Sequence, residues 1–348
     1  MAQALADGEA ADERLAPRSA LARLFAHPEA AAFVGAAAIY LVFYALAPPF
    51  RETAALSSIL YVSSTWGIPA VAVALLMIGG EFDLSAGVAV VSAALVASMV
   101  SYQLTANLWV GVGVSLAVAL GVGFLNGYLT VKTGIPSFLV TLGTFFMLAG
   151  LNLALTRFVT GNVASPDIAR MDGFESARRV FASSFDVGGV AVRVTVLWWL
   201  GFIALATWVL TRTRTGNWIF AAGGAPLSAR AVGVPVARVK IGLFMAVSFA
   251  AWFVGMHQLF AFDTVQSGEG VGKEFYYIIA AVVGGCLLTG GYGSAVGAAV
   301  GAFIFGMTTQ GIVYAGWNPD WFKFLLGALL LGVILLNGWV RRRVEAAR

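Results

Sequence analysis

Eight stretches of this chain contain no Asp, Glu, Lys or Arg: residues 30 to 50, 53 to 80, 84 to 131, 133 to 156, 194 to 211, 241 to 262, 275 to 319 and 324 to 340. A helix needs about 20 apolar residues to cross a bilayer core of ~30 Å, and an ionised side chain near its centre is costly. Each stretch is therefore a candidate membrane span. The third and seventh are long enough for two spans each. Both have polar or Gly-rich breaks near their middles, Ser101 to Asn107 and Thr289-Gly290-Gly291-Tyr292-Gly293-Ser294, as a hairpin requires. The pattern predicts an all-α, polytopic integral membrane protein of about ten transmembrane helices.

Composition narrows the picture. Of 348 residues, 60% are hydrophobic and 11% charged, against roughly a quarter charged in a soluble domain. One cysteine, Cys286, excludes an internal disulfide, and the two histidines, His27 and His257, are too few and too far apart for a metal cluster. No metal site is expected. The formal charge of +4 points to membrane orientation and not to nucleic acid, because the basic residues gather in a few loops. With ten spans both termini share a side. If that side is cytoplasmic, it holds 13 of the 21 basic residues: Arg14, Arg18, Arg23, Lys132, Arg212, Arg214, Arg230, Arg238, Lys240, Arg341, Arg342, Arg343 and Arg348. The short outer connections then hold only Arg51, Lys273 and Lys323. The expected organisation is a cytoplasmic N-terminal tail over 1–29, a transmembrane domain over 30–340 and a cytoplasmic C-terminal tail over 341–348. An outer loop covers about 157–193 and a basic cytoplasmic loop, free of acidic residues, about 211–240. The first thirty residues lack the apolar core of a cleaved signal peptide.

Interruptions of the spans suggest where solute passes, since non-helical backbone at membrane depth survives only where protein or a water-filled cavity satisfies it. Pro69 is expected to split the second span, leaving a half-helix from Ala70 that ends at Gly79-Gly80. The eighth span has only Phe275 to Leu288, interrupted at Gly284-Gly285. Short or broken helices in both halves are the pattern of a translocation pathway. Ala72 to Ala89 and Ala280 to Ala299 share an order of apolar run, Gly-rich break and small-residue helix, which suggests an internal repeat. Gly293, Gly297 and Gly301 recur at four-residue spacing and clear a helix face for a close neighbour.

Between the second and third spans stands Gly79-Gly80-Glu81-Phe82-Asp83-Leu84-Ser85-Ala86-Gly87. Asp83 is a candidate N-cap for the third helix, or a substrate or gating group. The segment resembles the Gly-Gly-x-Asp-Leu-Ser-x-Gly signature of bacterial ribose-type ABC sugar permeases, relatives of branched-chain amino-acid permeases, with one extra residue after the glycines. Further on, Gly134-Ile135-Pro136-Ser137-Phe138 with Thr141-Leu142-Gly143-Thr144 and Gly150-Leu151 resembles the start of that family's fifth span. Ala280-Ala281-Val282-Val283-Gly284-Gly285 and Gly290-Gly291-Tyr292-Gly293-Ser294-Ala295-Val296-Gly297 resemble its eighth and ninth spans, with Tyr292 where an arginine is common.

The cytoplasmic loop reads from Gly216 through Gly223-Gly224 into a two-turn helix bounded by Pro226 and Gly233-Val234-Pro235. It resembles the family's coupling helix, which docks into a cleft of the ATPase. Ala225 and Pro226 depart from the Asn and acidic residue common there. The resemblance implies coupling through Gly216, Gly223, Gly224, Arg230 and Gly233, and a pathway or gate near Gly79, Gly80, Asp83 and Ser85. Asn126, Phe145 and Asn152, with Trp66 and Gln310, are aromatic and amide candidates for lining the route by stacking or hydrogen bonding, or for packing between spans. It also implies an ABC ATPase subunit carrying ATP and Mg, a periplasmic solute-binding protein, a second permease copy or paralogue, and a bed of membrane lipid. No cofactor is expected on this chain, and no enzyme activity. Its one Gly-Lys pair, Gly272-Lys273, is followed by Glu274 where a P-loop needs Ser or Thr, and Ser267 stands where the first glycine belongs. The alternatives at this point are a stand-alone secondary transporter or channel, for which only Glu81, Asp83 and His257 offer ionisable groups near membrane depth, and an importer of nucleosides or branched-chain amino acids.

Overall fold

The computed structural model describes residues 29–104 and 107–346. The acidic and basic residues read as an N-terminal tail lie outside the described residues, Glu29 excepted. The helices are α1 (Ala30–Leu46), α2 (Thr53–Ile78), α3 (Ala86–Gln103), α4 (Leu108–Thr133), α5 (Ser137–Thr160), α6 (Phe174–Phe181), α7 (Val194–Arg212), α8 (Arg214–Gly224), α9 (Pro226–Ala231), α10 (Val236–Phe262), α11 (Lys273–Val283), α12 (Ala295–Tyr314) and α13 (Trp321–Ala346). A short 3₁₀ turn, Pro48–Arg51, joins α1 to α2. One antiparallel hairpin, β1 (Ser184–Val187) with β2 (Val190–Arg193), leads into α7.

Seven helices, α2, α3, α4, α5, α7, α10 and α12, are long and apolar enough to cross a membrane. With α1, α11 and α13 each charge-free stretch has its helix, and the two long stretches divide at the expected breaks. The chain is a multi-pass membrane protein. α13 continues through the basic residues to Ala346, so the C-terminal tail is a helical extension over most of its length.

The centre is built by α2, α3, α10 and α12, each 67–78% buried along its most apolar stretch, while α5 is only 17% buried. Small residues explain the close packing. A Cβ on Gly123 would stand 2.7 Å from Phe244 O, and one on Gly127 equally close to the Cα of Ile241, so α4 lies directly against α10. Gly301 packs onto the Ala280 carbonyl and Gly297 onto that of Gly284, which presses α12 on α11. Gly293 is not on that face. It lies in the loop before α12, against Cys286 and Ile78.

Pro69 does not split its span. α2 is a single 26-residue helix with Pro69 inside it. Proline removes one backbone donor, and burial of Ile68, Pro69 and Ala70 among neighbouring helices holds the helix through that loss. The interruption falls at Gly79-Gly80 instead.

The long segment after α5 is ordered by backbone pairing. Ser165 N–H donates to Val265 O at 2.9 Å, Ser267 N–H to Val163 O at 2.9 Å and Ile168 N–H to Asp263 O at 3.1 Å. His257 is fully buried. Its Nδ1 donates to the Phe181 carbonyl at 2.8 Å and its Nε2 accepts from the Tyr61 hydroxyl at 3.1 Å, the packed role of a neutral imidazole.

Candidate functional site: a glycine junction at the ends of α2 and α11

α2 and α11 end in the same way. Gly79 N–H donates to Leu75 O, Gly80 N–H to Met77 O and Glu81 N–H to Leu76 O, at 3.0, 2.9 and 3.1 Å. Gly284, Gly285 and Cys286 make the equivalent bonds to Ala280 O, Val282 O and Ala281 O at 2.9, 2.9 and 3.0 Å. Reversing the chain after the last turn requires a left-handed residue, supplied by Gly80 at φ 81° and Gly285 at φ 94°. Within the two stretches expected to repeat, the shared feature is this helix ending; the connections that follow differ in length, with α3 starting at Ala86 and α12 at Ala295. α11 has 11 residues and covers only ~17 Å of a ~30 Å core, so a loop completes its span. At its other end α11 begins against α3, where a Cβ on Gly87 would stand 2.6 Å from Gly270 O and 2.7 Å from Glu274 N.

Side chains hold the loop after α2. Asp83 is buried and its Oδ1 accepts from the Ser85 N–H at 2.8 Å and the Ser85 hydroxyl at 2.5 Å. This corrects the N-cap expectation: Ser85 occupies the N-cap position, and Asp83 forms an Asx turn two residues earlier. From Ser85 the network continues sideways. Asn126 Nδ2 donates to Ser85 Oγ at 3.0 Å, and Thr144 Oγ1 donates to Asn126 Oδ1 at 2.6 Å. Phe82 N–H and Leu84 N–H donate to the hydroxyls of Ser137 and Thr141 at 3.0 and 3.1 Å. Four elements, the loop, α3, α4 and α5, are tied at one point.

Backbone approach holds the loop after α11. Gly291 N–H donates to Ile78 O at 2.8 Å. A Cβ on Gly290 would stand 2.7 Å from the Cα of Gly80, and one on Gly291 2.6 Å from that of Gly224. Gly223 at the end of α8 sits on the Ile78 carbonyl, with Gly291 N 2.7 Å from where its Cβ would be. Three glycine pairs from distant parts of the chain, Gly79-Gly80, Gly223-Gly224 and Gly290-Gly291, meet with backbone against backbone.

The expected coupling residues divide between the two faces of this unit. Gly216 lies in the first turn of α8, where its N–H donates to the Thr213 cap and the helix packs against the carbonyls ending α7. Gly223 and Gly224 belong to the junction. Arg230 and Gly233 lie on the exposed side, Gly233 N–H donating to Arg230 O at 3.0 Å. The two-turn helix expected after Pro226 is α9, with Pro226 in its first turn. Its apolar residue Leu227 is 80% exposed, and Val232 just beyond is 81% exposed.

Of the expected pathway residues, Gly79, Gly80, Asp83, Ser85 and Asn126 gather at the junction. Phe145 does not. It is half-buried on α5, edge to face with Phe146. Asn152 pins α5 to α3, its Oδ1 accepting from Ser92 at 2.9 Å. Trp66 stacks on Tyr276 with ring centroids 4.8 Å apart, and Gln310 is half-buried on α12. Two features escaped sequence reasoning. Lys240, in the first turns of α10, forms an ion pair with Glu81, which joins the loop after α2 to the helix that follows α9. Glu274 is a further buried ionisable group, 2% exposed, with Oε1 accepting from Gly272 N–H at 3.1 Å. Its place at the margin of a charge-free stretch was the available signal.

Among the described residues no group of His, Cys, Asp and Glu could hold a metal ion. The profile of the family described as the branched-chain amino acid transport system permease component matches residues 55–334. The galactose/methyl galactoside import permease protein of Escherichia coli K12 is 32% identical over 83% of this chain and 88% of its own length. The fructose import permease protein of Rhizobium meliloti is 26% identical over 79% and 75%. The ribose import permease protein of Escherichia coli K12 is 27% identical over 84% and 88%. No solved structure matches the chain. The profile covers all ten spans except α1 and the end of α13, and the glycine junction lies wholly within it, so this chain is a member of the branched-chain amino acid transport system permease family.

Proposed function

We propose that this chain is the channel-forming permease subunit of an ATP-binding-cassette importer that carries a sugar or a similar small polyol across the bacterial inner membrane. ATP and Mg are handled by a separate ATPase subunit, a periplasmic binding protein delivers the solute, and a second permease chain completes the channel. Both termini are cytoplasmic, in keeping with the Lys/Arg bias. The sugar class follows the galactose, fructose and ribose permeases to which the chain is similar.

The observation that carries this reading is the two-sidedness of α8–α9. One side exposes Leu227, Arg230 and Val232, an apolar tip with a cation that suits a cleft on a soluble partner. The other side presses Gly223 and Gly224 against the end of α2 and the loop after α11. Force applied at α9 reaches both through backbone contacts that have no slack. ATP-driven closure of the ATPase pair would move the loop after α11 against the end of α2, which side chains hold in the bundle.

The first test is purification from native membranes in mild detergent with mass spectrometry of co-purifying chains. A soluble P-loop protein is the expected companion. Recovery of this chain alone, in a form that transports without ATP, would favour a secondary carrier. The second test replaces Arg230 and Gly233 together, or Leu227→Asp alone. Uptake should be lost while the chain still inserts, and unchanged uptake would remove α9 from the transmission.

A further inference from the structure

α7 and α10 both pack on α2 but leave a furrow between them, floored by Val71, Ala72 and Leu75. Its volume is about 630 Å³, within the ~300–1,000 Å³ of sites that enclose small ligands. Glycine makes the room: a Cβ on Gly201 of α7 or Gly242 of α10 would meet nothing within 4 Å. The lining is apolar from Trp198 to Ile219, apart from Thr215 and Arg238 at one end.

The two ends of the furrow differ. Towards the start of α7 aromatic rings bridge it, Trp198 to Phe253 at 5.2 Å and Phe202 to Phe253 at 5.6 Å between centroids. Towards α8 it ends at exposed Arg238, with Arg212 and Arg214 exposed at the nearby α7–α8 corner. Residues 211–240 contain no Asp or Glu. The one ion pair among the described residues is Lys240–Glu81, so no carboxylate among them neutralises Arg238. An apolar slot that is closed towards one face of the membrane and lined at the other by exposed cations fits an acyl chain with an anionic head.

We propose that this furrow binds one anionic phospholipid of the cytoplasmic leaflet, its acyl chain between α7 and α10 and its phosphate at Arg238. The siting rests on the orientation proposed above. Lipid tails gain little by exchanging bilayer for an apolar protein wall, so selectivity comes from the head group, at about five-fold per cation near the surface. Ile219 of α8 and Leu243 of α10 line the same furrow, and Leu243 abuts Gly79. The lipid therefore braces the glycine junction from the membrane side.

The experiment is native mass spectrometry of the purified full chain with equal phosphatidylglycerol and phosphatidylcholine. One phosphatidylglycerol should survive activation that strips phosphatidylcholine. Arg238→Gln should lower its retention about five-fold, Arg238→Lys should keep it, and Gly242→Trp, which fills the slot, should abolish it in protein that still elutes as a single species. Equal retention of the two lipids, or unchanged retention in Arg238→Gln and Gly242→Trp, would overturn the proposal. So would a disulfide between two copies carrying Phe202→Cys, which would make the furrow a chain–chain interface. Labelling of an Arg230→Cys variant in sealed cells reads the orientation separately. An outward Arg230 would move the site to the other leaflet without touching the retention result.

Discussion

The loops after α2 and α11 leave their helices through the same three hydrogen bonds and the same left-handed glycine, yet they are held by opposite means. The first is fastened by side chains: Asp83, Ser85, Asn126, Thr144, Ser137 and Thr141 form a polar web reaching two other helices. Among the described residues, no side-chain web of that extent surrounds the second loop. It is held by Gly290 and Gly291 lying against Gly80, Gly224 and the Ile78 carbonyl. The first loop is thus a fixed point inside the bundle. The second can follow whatever moves α8, because a backbone contact transmits displacement without depending on any one side chain.

The largest effect should come from adding one methyl group where backbones meet. In Gly223→Ala the Cβ would overlap the Ile78 carbonyl, and in Gly291→Ala it would lie 2.6 Å from the Cα of Gly224 at a φ of 74°. Overpacking costs about 1–3 kcal/mol where neighbours can yield, and here the neighbours are backbone. Uptake by the reconstituted importer should fall by roughly tenfold or more in each variant. Gly143→Ala and Gly150→Ala, where nothing lies within 4 Å, should transport normally. Normal uptake by Gly291→Ala would end the idea that the second loop works through close backbone contact.

Next in size is the web itself. Asp83→Ala strands the Ser85 N–H and hydroxyl, and a buried donor left unpaired costs about 1–3 kcal/mol. The melting temperature in detergent should drop clearly. Asp83→Asn keeps an oxygen at the accepting position and should lose less. Equal losses would mean that the carboxylate does something the hydrogen bonds do not require.

This contrast was half legible in the sequence. The ten spans could be read because charge is excluded from lipid, and the short α11 because Gly284-Gly285 stops it. The loop at Asp83 was found because a Gly-Gly pair precedes an Asp-Leu-Ser. Pro69 misled, since proline marks a missing donor and cannot say whether buried neighbours hold the helix through it. The meeting of Gly223 with Ile78 and Gly291 left no local signal, and neither did Lys240 with Glu81, 159 residues apart. Glycines cleared for a neighbour look the same in sequence as glycines that face lipid. The ordering of the segment after α5 was also missed, because its pairs are backbone groups that carry no side-chain signature.

A smaller effect is expected at Glu81–Lys240, which joins the fixed loop to the helix following α9. Both side chains are largely buried, 11% and 14% exposed, so removing one partner leaves the other charge unpaired. Glu81→Gln and Lys240→Met should each destabilise more than the double variant, with a coupling energy of about 0.5–3 kcal/mol in a double-mutant cycle of thermal unfolding. If the cycle closes at zero in detergent but the single variants slow uptake, the pair forms in only one transport state. The first loop would then be a latch and not a fixed point.

The smallest effect sharpens the comparison most directly. Ser294 caps α12 as Ser85 opens α3, but Ser294 Oγ only accepts from the Gly297 N–H, at 3.3 Å, whereas Ser85 Oγ links Asp83 to Asn126. Ser294→Ala removes one exchangeable cap, about 0.5–2 kcal/mol, and should leave uptake intact. Ser85→Ala removes a node between two helices and should lower both the melting temperature and uptake. Because the two serines hold corresponding places after the two breaks, equal outcomes could not be blamed on position. They would mean that the web around Asp83 is a cap like any other, and that the two halves of the bundle are held in the same way after all.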